Sequence, residues 1–254
     1  MTEKEKLMYQ IMGEITKSGA PIVFKGAMVT KLILEEGGYT ALERQTKDID
    51  ANWIGEHPSM DALVKTINTS LGALEDKVIA VSFRDYGEKM SAGVSLREKT
   101  SGDELFSLDI DMRAICGSRM YHRGEMSIRG VLVNEILSDK ISVLSDQMIF
   151  RRAKDMVDVY ALSQCVEVQV SEIIRTTRSR PDRVIGAFTE FTNRRDELEH
   201  AYEKLRGITN KPPFNQLYQY LKVFLQPFIS QGMTHQIWNS TESRWEELHV
   251  TRYT

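Results

Sequence analysis

Two Asp-x-Asp triplets inside apolar segments constrain the fold of this chain more than any other feature of its sequence. Asp48-Ile49-Asp50 leads into the strand-like segment Ile49–Ile54, and Asp109-Ile110-Asp111 lies within Glu104–Met112. Alternate residues of a strand face the same side, so each triplet would place two carboxylates together. Such carboxylates repel each other unless a cation lies between them, and Mg²⁺ prefers one or two carboxylates plus substrate phosphates. An edge strand with one solvated face would also explain either triplet alone.

The periodicity of apolar residues predicts an α+β amino-terminal half followed by helices. Helices are predicted over residues 2–17, from Met28 to the Gly37-Gly38 stop, and over 60–71. The remaining strands are predicted over residues 22–24, 77–83 and 93–97. Beyond Val131 the pattern is helical to the end of the chain, with only brief interruptions. We therefore predict an α+β domain over residues 1–132 and a helical domain over residues 133–254.

Composition excludes several classes of protein. The chain has 254 residues, of which 41% are apolar and 27% charged, so it is not disordered. No apolar run approaches the ~18–20 residues that span a bilayer, and the amino terminus lacks the apolar stretch of a signal peptide. Two cysteines are too few for a disulfide framework or a structural zinc site. We expect a soluble, cytoplasmic protein without a membrane partner.

The net charge of −3 hides a local asymmetry. Residues 113–154 contain eight basic and four acidic side chains, so this segment is +4 and the rest of the chain is −7. A basic stretch in an acidic protein is typical of a phosphate-binding surface. A solvated helix face would account for the charge equally well.

Familiar nucleotide-binding and hydrolase motifs are absent, but two further segments contain residues that could bind a ligand or take part in a reaction. The sequence contains no phosphate loop of the G-x-x-x-x-G-K-[ST] type, no G-x-G-x-x-G and no G-x-S-x-G. Val23–Ala27 predicts a strand that turns into a helix, whose first N–H groups can hold a phosphate. Asp155 and Asp158 lie at i and i+3 of a predicted helix, where isolated carboxylates would ordinarily be surface charges.

Taken in order, these segments resemble the AbiEii/AbiGii-type toxin branch of the nucleotidyltransferase superfamily over roughly residues 20–165. The segments that carry the resemblance are F-K-G-A from Phe24, R-x-T-x-D-I-D from Arg44, L-D-I-D from Leu108, N-E-I-L-S-D-K from Asn134 and R-x-K-D-x-x-D-x-Y-x-L from Arg152. The family usually has Gly-Gly or Gly-Ser where this chain has Gly26-Ala27, which removes a possible side-chain contact to phosphate.

The resemblance implies a fold, an activity and partners. The expected fold is a nucleotidyltransferase-like mixed sheet with flanking helices, followed by a carboxyl-terminal helical bundle. The expected activity is Mg²⁺-dependent transfer of nucleotides from an NTP to an acceptor, which family analogy suggests is the 3′ end of tRNA. A cognate antitoxin is the expected protein partner.

The resemblance also implies roles for individual residues. Asp48 and Asp50 would bind Mg²⁺ with a third carboxylate from Asp109 or Asp111, and Asp109 is only slightly favoured. Lys140 would act as a point charge on the triphosphate, and Asp158 or, second, Asp155 would orient Lys140 or act as a base. The other residues expected at the nucleotide or in support of the site are Lys25, Gly26, Ala27, Arg44, Thr46 and Arg152. Arg44 would otherwise pair with a local acid.

Two other readings of the sequence remain open at this point. The chain could be a catalytically inactive nucleotidyltransferase fold that binds nucleotide, RNA or a protein partner. It could instead be an interaction protein that uses an apolar stripe within Pro213–Gly232, although core packing explains such a stripe more often. If RNA binds, its phosphates are expected at the basic residues of Arg113–Arg129 and Arg175–Arg183.

Overall fold

A computed structural model of the protein describes residues 2–87, 90–146, 148–230 and 234–248. Its contacts divide the chain into two compact units. The first unit contains Met1–Leu32 and Gln45–Leu132, and the second contains Ile33–Arg44 and Val133–Thr254. The second unit therefore includes a short segment from the amino-terminal half of the chain. The division into two domains at residue 132 stays a prediction.

The first unit is built on a seven-stranded mixed sheet. Its strands are β1 (Ile22–Lys25), β3 (Asp48–Trp53), β4 (Val78–Arg84), β5 (Ser91–Glu98), β6 (Glu104–Asp111), β7 (Ser118–Arg123) and β8 (Met126–Val131). They lie in the order β4-β5-β6-β3-β1-β8-β7. β3 runs parallel to β6, and β1 runs parallel to β8, while the other neighbours are antiparallel.

Alternation of side chains gives β3 and β6 one apolar and one acidic face. Ile49 of β3 pairs with Leu108 of β6, and both side chains are fully buried. In the next position of the same register, Asp50 pairs with Asp109. The apolar face belongs to the core of the unit, so a shift of one residue would bury the carboxylates and expose the core side chains.

Three helices accompany this sheet in sequence: α1 (Glu3–Lys17), α2 (Gly26–Glu36) and α3 (Met60–Ser70). α1 begins with a capping box, in which Thr2 Oγ1 accepts from the Glu5 amide and the Glu5 carboxylate accepts from the Thr2 amide. α1 packs against β8 and α3, and α3 packs against β4. α2 begins in the first unit and ends in the second.

The second unit is mainly helical. Its helices are α4 (Val133–Ser145), α5 (Ala153–Ser163), α6 (Val170–Arg178), α7 (Thr189–Asn193), α8 (Arg195–Glu203) and α9 (Phe214–Ser230). Two small antiparallel sheets join β2 (Glu43–Arg44) to β10 (Ile208–Thr209), and β9 (Val168–Gln169) to β11 (Gln236–Asn239) and β12 (Arg244–Glu247). The apolar stripe of α9 is part of the core, since Leu217, Leu221, Phe224, Leu225 and Phe228 are all buried.

The predicted fold class is confirmed: the structure has a mixed sheet with helices, followed by a helical region. Two details of the later strands were beyond the reach of the sequence pattern. The hairpin of β7 and β8 was not predicted, because Tyr121 is the one buried side chain in β7. Among the described residues beyond Val131 there are also four strands of two to four residues, too short to leave a periodic signal. No helix within the described ranges is long and apolar enough to cross a membrane.

Candidate active site

The four carboxylates of the two triplets lie on one side of the sheet, which we call the acidic face: Asp48 and Asp50 of β3, and Asp109 and Asp111 of β6. The pairing of β3 with β6 places Asp50 beside Asp109. On its other side Asp50 pairs with Lys25, the last residue of β1. The sequence prediction that alternate aspartates share a face thus extends to two adjacent strands.

Asp111 is the most enclosed of these carboxylates. Its side chain is 6% exposed and accepts hydrogen bonds from Lys25 Nζ at 2.9 Å, from Arg113 Nε at 2.8 Å and from the Arg113 amide at 2.9 Å. Burial by itself would raise the pKa of Asp111, but the Arg113 hydrogen bonds and the Lys25 charge hold it well below its usual range. Both oxygens of Asp111 are therefore occupied by cations of the protein.

Asp48 and Asp109 have fewer and weaker polar contacts than Asp111. Thr46 Oγ1, which is buried, donates to Asp48 Oδ1 at 2.9 Å. Asp109 pairs through Oδ1 with Arg84, and the two side chains are 34% and 49% exposed. Salt bridges between side chains this exposed are weak, because water screens the charges. Asp109 can consequently exchange its ion pair for a bound ligand more easily than Asp111 can.

The turn between β1 and α2 lies directly against Asp50. Gly26, the first residue of α2, has a φ of +66°, in the left-handed region that favours glycine. A methyl group on Gly26 would lie 2.8 Å from Asp50 Cγ and closer still to Oδ2. Glycine at this position therefore allows both the turn and the approach of the carboxylate. Ala27, the departure from the family pattern, is buried.

The chemistry of the acidic face fits a Mg²⁺ ion bound jointly with substrate phosphates. Asp48 and Asp50 supply two carboxylates from one strand, which matches the usual protein contribution to a Mg²⁺–nucleotide site. Within the described ranges, no three Asp, Glu, His or Cys side chains converge closely enough to hold a metal ion by themselves. The residues present thus suit a metal that arrives with a nucleotide.

A second cluster of candidate residues lies in the second unit. Lys140 of α4 donates to Asp155 Oδ1 at 2.9 Å and to Asp158 Oδ2 at 2.6 Å, both on α5. Arg44 of β2 binds Asp158 with two hydrogen bonds, Nε to Oδ1 at 2.9 Å and Nη2 to Oδ2 at 3.0 Å. Two cations thus balance two carboxylates, and Lys140, Asp155 and Asp158 are all buried.

The electrostatics of this cluster keep its members ionised. Burial would lower the pKa of the Lys140 ammonium, but the charges of Asp155 and Asp158 outweigh it and raise that pKa. Burial would raise the pKa of Asp158, but Lys140 and Arg44 hold it below its usual range. The interpretation of Asp155 and Asp158 as ordinary surface charges is therefore wrong. Arg44 binds Asp158, an acid 114 residues away in sequence.

Other basic residues singled out in the sequence are placed differently. Arg152 is exposed and lies at the start of α5. Arg180 is buried and pairs with Glu135, Asp139 and Asp182, so the expectation that it contacts RNA phosphates is wrong. Sequence reasoning missed the structural role of Arg113 and the pairing of Arg84 with Asp109. The role of Arg113 could have been predicted from its position in the sequence, two residues after Asp111.

Replacing Gly26 by alanine tests the approach of the turn to Asp50. We expect Gly26→Ala to lower the free energy of unfolding by more than the ~1–2 kcal/mol cost of a left-handed alanine, because its methyl also displaces Asp50. Gly19→Ala is the matched control, since Gly19 has a φ of +75° and nothing within 4 Å of an added methyl. Urea unfolding measures both; equal losses in the two variants would contradict the close approach.

The Arg44–Lys140–Asp155–Asp158 cluster predicts unequal effects of two isosteric substitutions. Asp158→Asn removes the carboxylate that both cations share, so we expect it to cost ~3–5 kcal/mol of stability. Asp155→Asn removes a carboxylate bound by Lys140 and should cost less. Chemical denaturation of both variants checks this, and an equal or reversed order would refute the shared role of Asp158.

The lowered pKa of Asp111 predicts a pH dependence of stability. A carboxyl whose folded-state pKa lies below its unfolded value of ~3.9 stabilises the fold above that value, and the contribution is lost as pH falls through the folded-state pKa. We expect Asp111→Asn to be less stable than the wild type at pH 7 and to lose less stability between pH 4 and pH 2. Thermal unfolding across this range measures it; parallel curves would contradict the prediction.

Comparisons with known proteins identify the family. The family model described as "Nucleotidyl transferase AbiEii toxin, Type IV TA system" matches residues 10–234. A search of curated protein sequences gave no significant match. The resemblance noted from the sequence motifs is therefore confirmed by an independent match over most of the chain.

Two solved structures are similar to this chain at low identity. The nucleotidyltransferase toxin MenT4 from Mycobacterium tuberculosis H37Rv matches with 15% identity and a TM-score of 0.43, over 68% of this chain and 61% of its own length. An antigenic nucleotidyltransferase-like protein from Paracoccidioides brasiliensis matches with 13% identity and a TM-score of 0.45, over 79% of this chain and 92% of its own. The chain thus spans less than two thirds of MenT4. On the strength of the family model, the chain belongs to the AbiEii nucleotidyltransferase toxin family.

Proposed function

We propose that this protein transfers nucleotides from an NTP to an RNA acceptor, with the 3′ end of tRNA as the first acceptor to test. The observation that carries the proposal is the acidic face, where Asp50 lies beside Asp109 and against the Gly26 turn. Carboxylates from adjacent strands next to a glycine turn suit a nucleotide triphosphate with its metal. Family membership supports the same chemistry.

The Gly26 turn is our candidate for the triphosphate end of the NTP. The first N–H groups of α2 have no partner within the helix, and such groups attract phosphate oxygens. Lys25 directly precedes the turn and lies opposite Asp50 in the sheet register. Because Ala27 offers no hydroxyl, the backbone of this turn would make the phosphate contacts.

Asp48, Asp50 and Asp109 are our candidates for carboxylates that contact Mg²⁺, with substrate phosphates completing a ligand set that these three side chains do not form by themselves. When bound, Mg²⁺ would neutralise phosphate charge and help to activate the attacking hydroxyl. Asp109 is preferred over Asp111 because Lys25 and Arg113 already occupy both oxygens of Asp111. Asp111 would instead keep Lys25 and Arg113 in place beside the site. Thr46 would orient Asp48 through its hydrogen bond to Oδ1.

Lys140 and Asp158 enter the proposal through the family resemblance. The pKa of Lys140 is raised, so its ammonium is a permanent positive charge and is unsuited to giving up a proton. A contact with phosphate oxygens would require Lys140 to give up one of its bonds to Asp155 and Asp158. Asp158 accepts from both Arg44 and Lys140, which leaves its oxygens poorly placed to act as a base. Of the two roles considered for Asp158, orienting Lys140 is the one that its contacts favour.

The family also suggests where the protein works and what restrains it. The family model describes a toxin of a type IV toxin–antitoxin system. We propose a cytoplasmic toxin whose activity is opposed by a cognate antitoxin.

Loss of Asp50 tests the proposed activity. We expect Asp50→Asn to lower transfer from labelled NTPs to total tRNA by at least about 100-fold, because several kcal/mol of charge stabilisation would be lost. Asp61→Asn, at an exposed carboxylate of α3 in the same unit, is the control and should keep full activity. Each of the four NTPs is tested with Mg²⁺, and growth is scored after expression of each variant.

Two results would overturn the proposal. One is the absence of label transfer with any NTP while the wild-type protein still arrests growth. The other is growth arrest by Asp50→Asn equal to that of the wild type. Binding of NTP or RNA without turnover would favour the catalytically inactive alternative.

A further inference from the structure

A β-bulge brings two consecutive side chains of the edge strand β4 onto the acidic face. Ser82 pairs with Val94 and Arg84 pairs with Gly93, so Phe83 is the extra residue between them. In a regular strand, neighbouring side chains point to opposite faces, and a bulge relaxes this rule. Phe83 lies over Gly93, and Arg84 reaches Asp109. Both side chains therefore lie next to the proposed metal ligands.

Phe83 presents an aromatic surface there. A Cβ at Gly93 would lie 2.5 Å from the Phe83 ring, so the absence of a side chain on Gly93 is what lets the ring cover this part of the sheet. Phe83 is nevertheless 51% exposed. Val81 and Ile79 on the same strand are also exposed. An open apolar strip thus adjoins the carboxylates.

The order of residues across the sheet separates two ends of the acidic face. One row of the register runs from Lys25 through Asp50, Asp109 and Gly93 to Arg84. The Gly26 turn follows Lys25 at one end, and Phe83 lies over Gly93 near the other. Neighbouring strands are ~4.8 Å apart, so Gly93 is about 10 Å from Asp50. Phosphates at the Gly26 turn and a group on Phe83 would lie on opposite sides of the carboxylates.

We propose that Phe83 and Arg84 form the binding site for the end of a single-stranded RNA acceptor. Phe83 would stack on the terminal base, and Arg84 would bind the adjacent phosphate. The inference rests on the proposed nucleotidyl transfer, in which the acceptor must approach the metal from the side away from the triphosphate. The base of the NTP is a poorer occupant, because its phosphates are assigned to the far end of the row.

The chemistry of the two side chains favours RNA over a protein acceptor. Unpaired bases stack on aromatic rings irrespective of sequence, while arginine binds phosphate and stacks as well. The Arg84 guanidinium carbon lies 5.7 Å from the centre of the Phe83 ring, so one nucleotide can contact both side chains. Arg84 is half-exposed and pairs with Asp109 through a weak bridge, so an RNA phosphate can compete for it.

Fluorescence anisotropy of a labelled single-stranded oligoribonucleotide ending in CCA tests the inference in the full-length protein without NTP. We expect Phe83→Leu to weaken binding about 10-fold or more, from the loss of base stacking, and Phe83→Trp to retain it. Ile79→Ala, an apolar loss farther along the same strand, should leave binding unchanged. Binding of a labelled NTP, measured separately with Mg²⁺, should be the same in all four proteins.

Photocrosslinking supplies a second measurement. An oligoribonucleotide with 4-thiouridine at its 3′ end should crosslink to the peptide that contains Phe83 and Arg84. A crosslink confined to other peptides, or equal RNA binding by wild type and Phe83→Leu, would overturn the inference. So would weaker NTP binding with unchanged RNA binding, which would assign Phe83 to the base of the NTP.

These readouts separate this inference from the proposed function. Nucleotide transfer to a protein, with no binding of single-stranded RNA, would overturn the acceptor site while leaving nucleotidyl transfer intact. Loss of RNA binding in Phe83→Leu, in a protein that transfers no nucleotide, would support the RNA site and refute the enzymatic activity.

Discussion

The parallel pairing of β3 with β6 is the constraint on which the acidic face depends. It buries Ile49 against Leu108 on one side and, by the same register, places Asp50 beside Asp109 on the other. Like charges held this close are unfavourable, and cations lie on the same face: Arg84 pairs with Asp109, and Lys25 and Arg113 pair with Asp111. Hydrophobic burial therefore fixes the geometry of the carboxylates, and the neighbouring cations make that geometry tolerable.

The two acidic clusters of the chain solve the same electrostatic problem in different ways. In the second unit, Lys140 and the partly exposed Arg44 pair with two buried carboxylates, Asp155 and Asp158. On the acidic face, Asp111 is bound firmly by Arg113 and Lys25, whereas Asp109 is held by one half-exposed arginine. A buried, fully paired carboxylate stabilises the fold. A carboxylate with one weak ion pair can leave that partner and bind a ligand. The number of ion pairs that each carboxylate makes is thus a physical basis for giving Asp111 a structural role and Asp109 a ligand-binding role.

Periodicity and motif order were sufficient to predict the shared face of Asp48 and Asp50 and the first half of the fold apart from the β7–β8 hairpin. Both are local properties, since alternation along one strand decides which side a residue faces. The ion pairs were not predictable, because Lys25 and Asp111 are 86 residues apart and meet through strand order. Taken alone, the spacing of Asp155 and Asp158 suggested surface charges, because their partners Arg44 and Lys140 come from other elements; the link to Lys140 came from the family resemblance. The bulge at Phe83 also depends on pairing between strands and leaves no signal in one strand alone.

The route of the chain between Ile33 and Arg44 has a consequence for dissecting the protein. This segment belongs to the second unit, where Arg44 pairs with Ile208 in the small β2–β10 sheet and with Asp158 of α5. Four residues later the chain reaches Asp48 of the acidic face. A fragment ending at residue 132 would keep every strand of the large sheet but lose both of these anchors. No single cut can separate the two units cleanly, because the polypeptide passes between them three times.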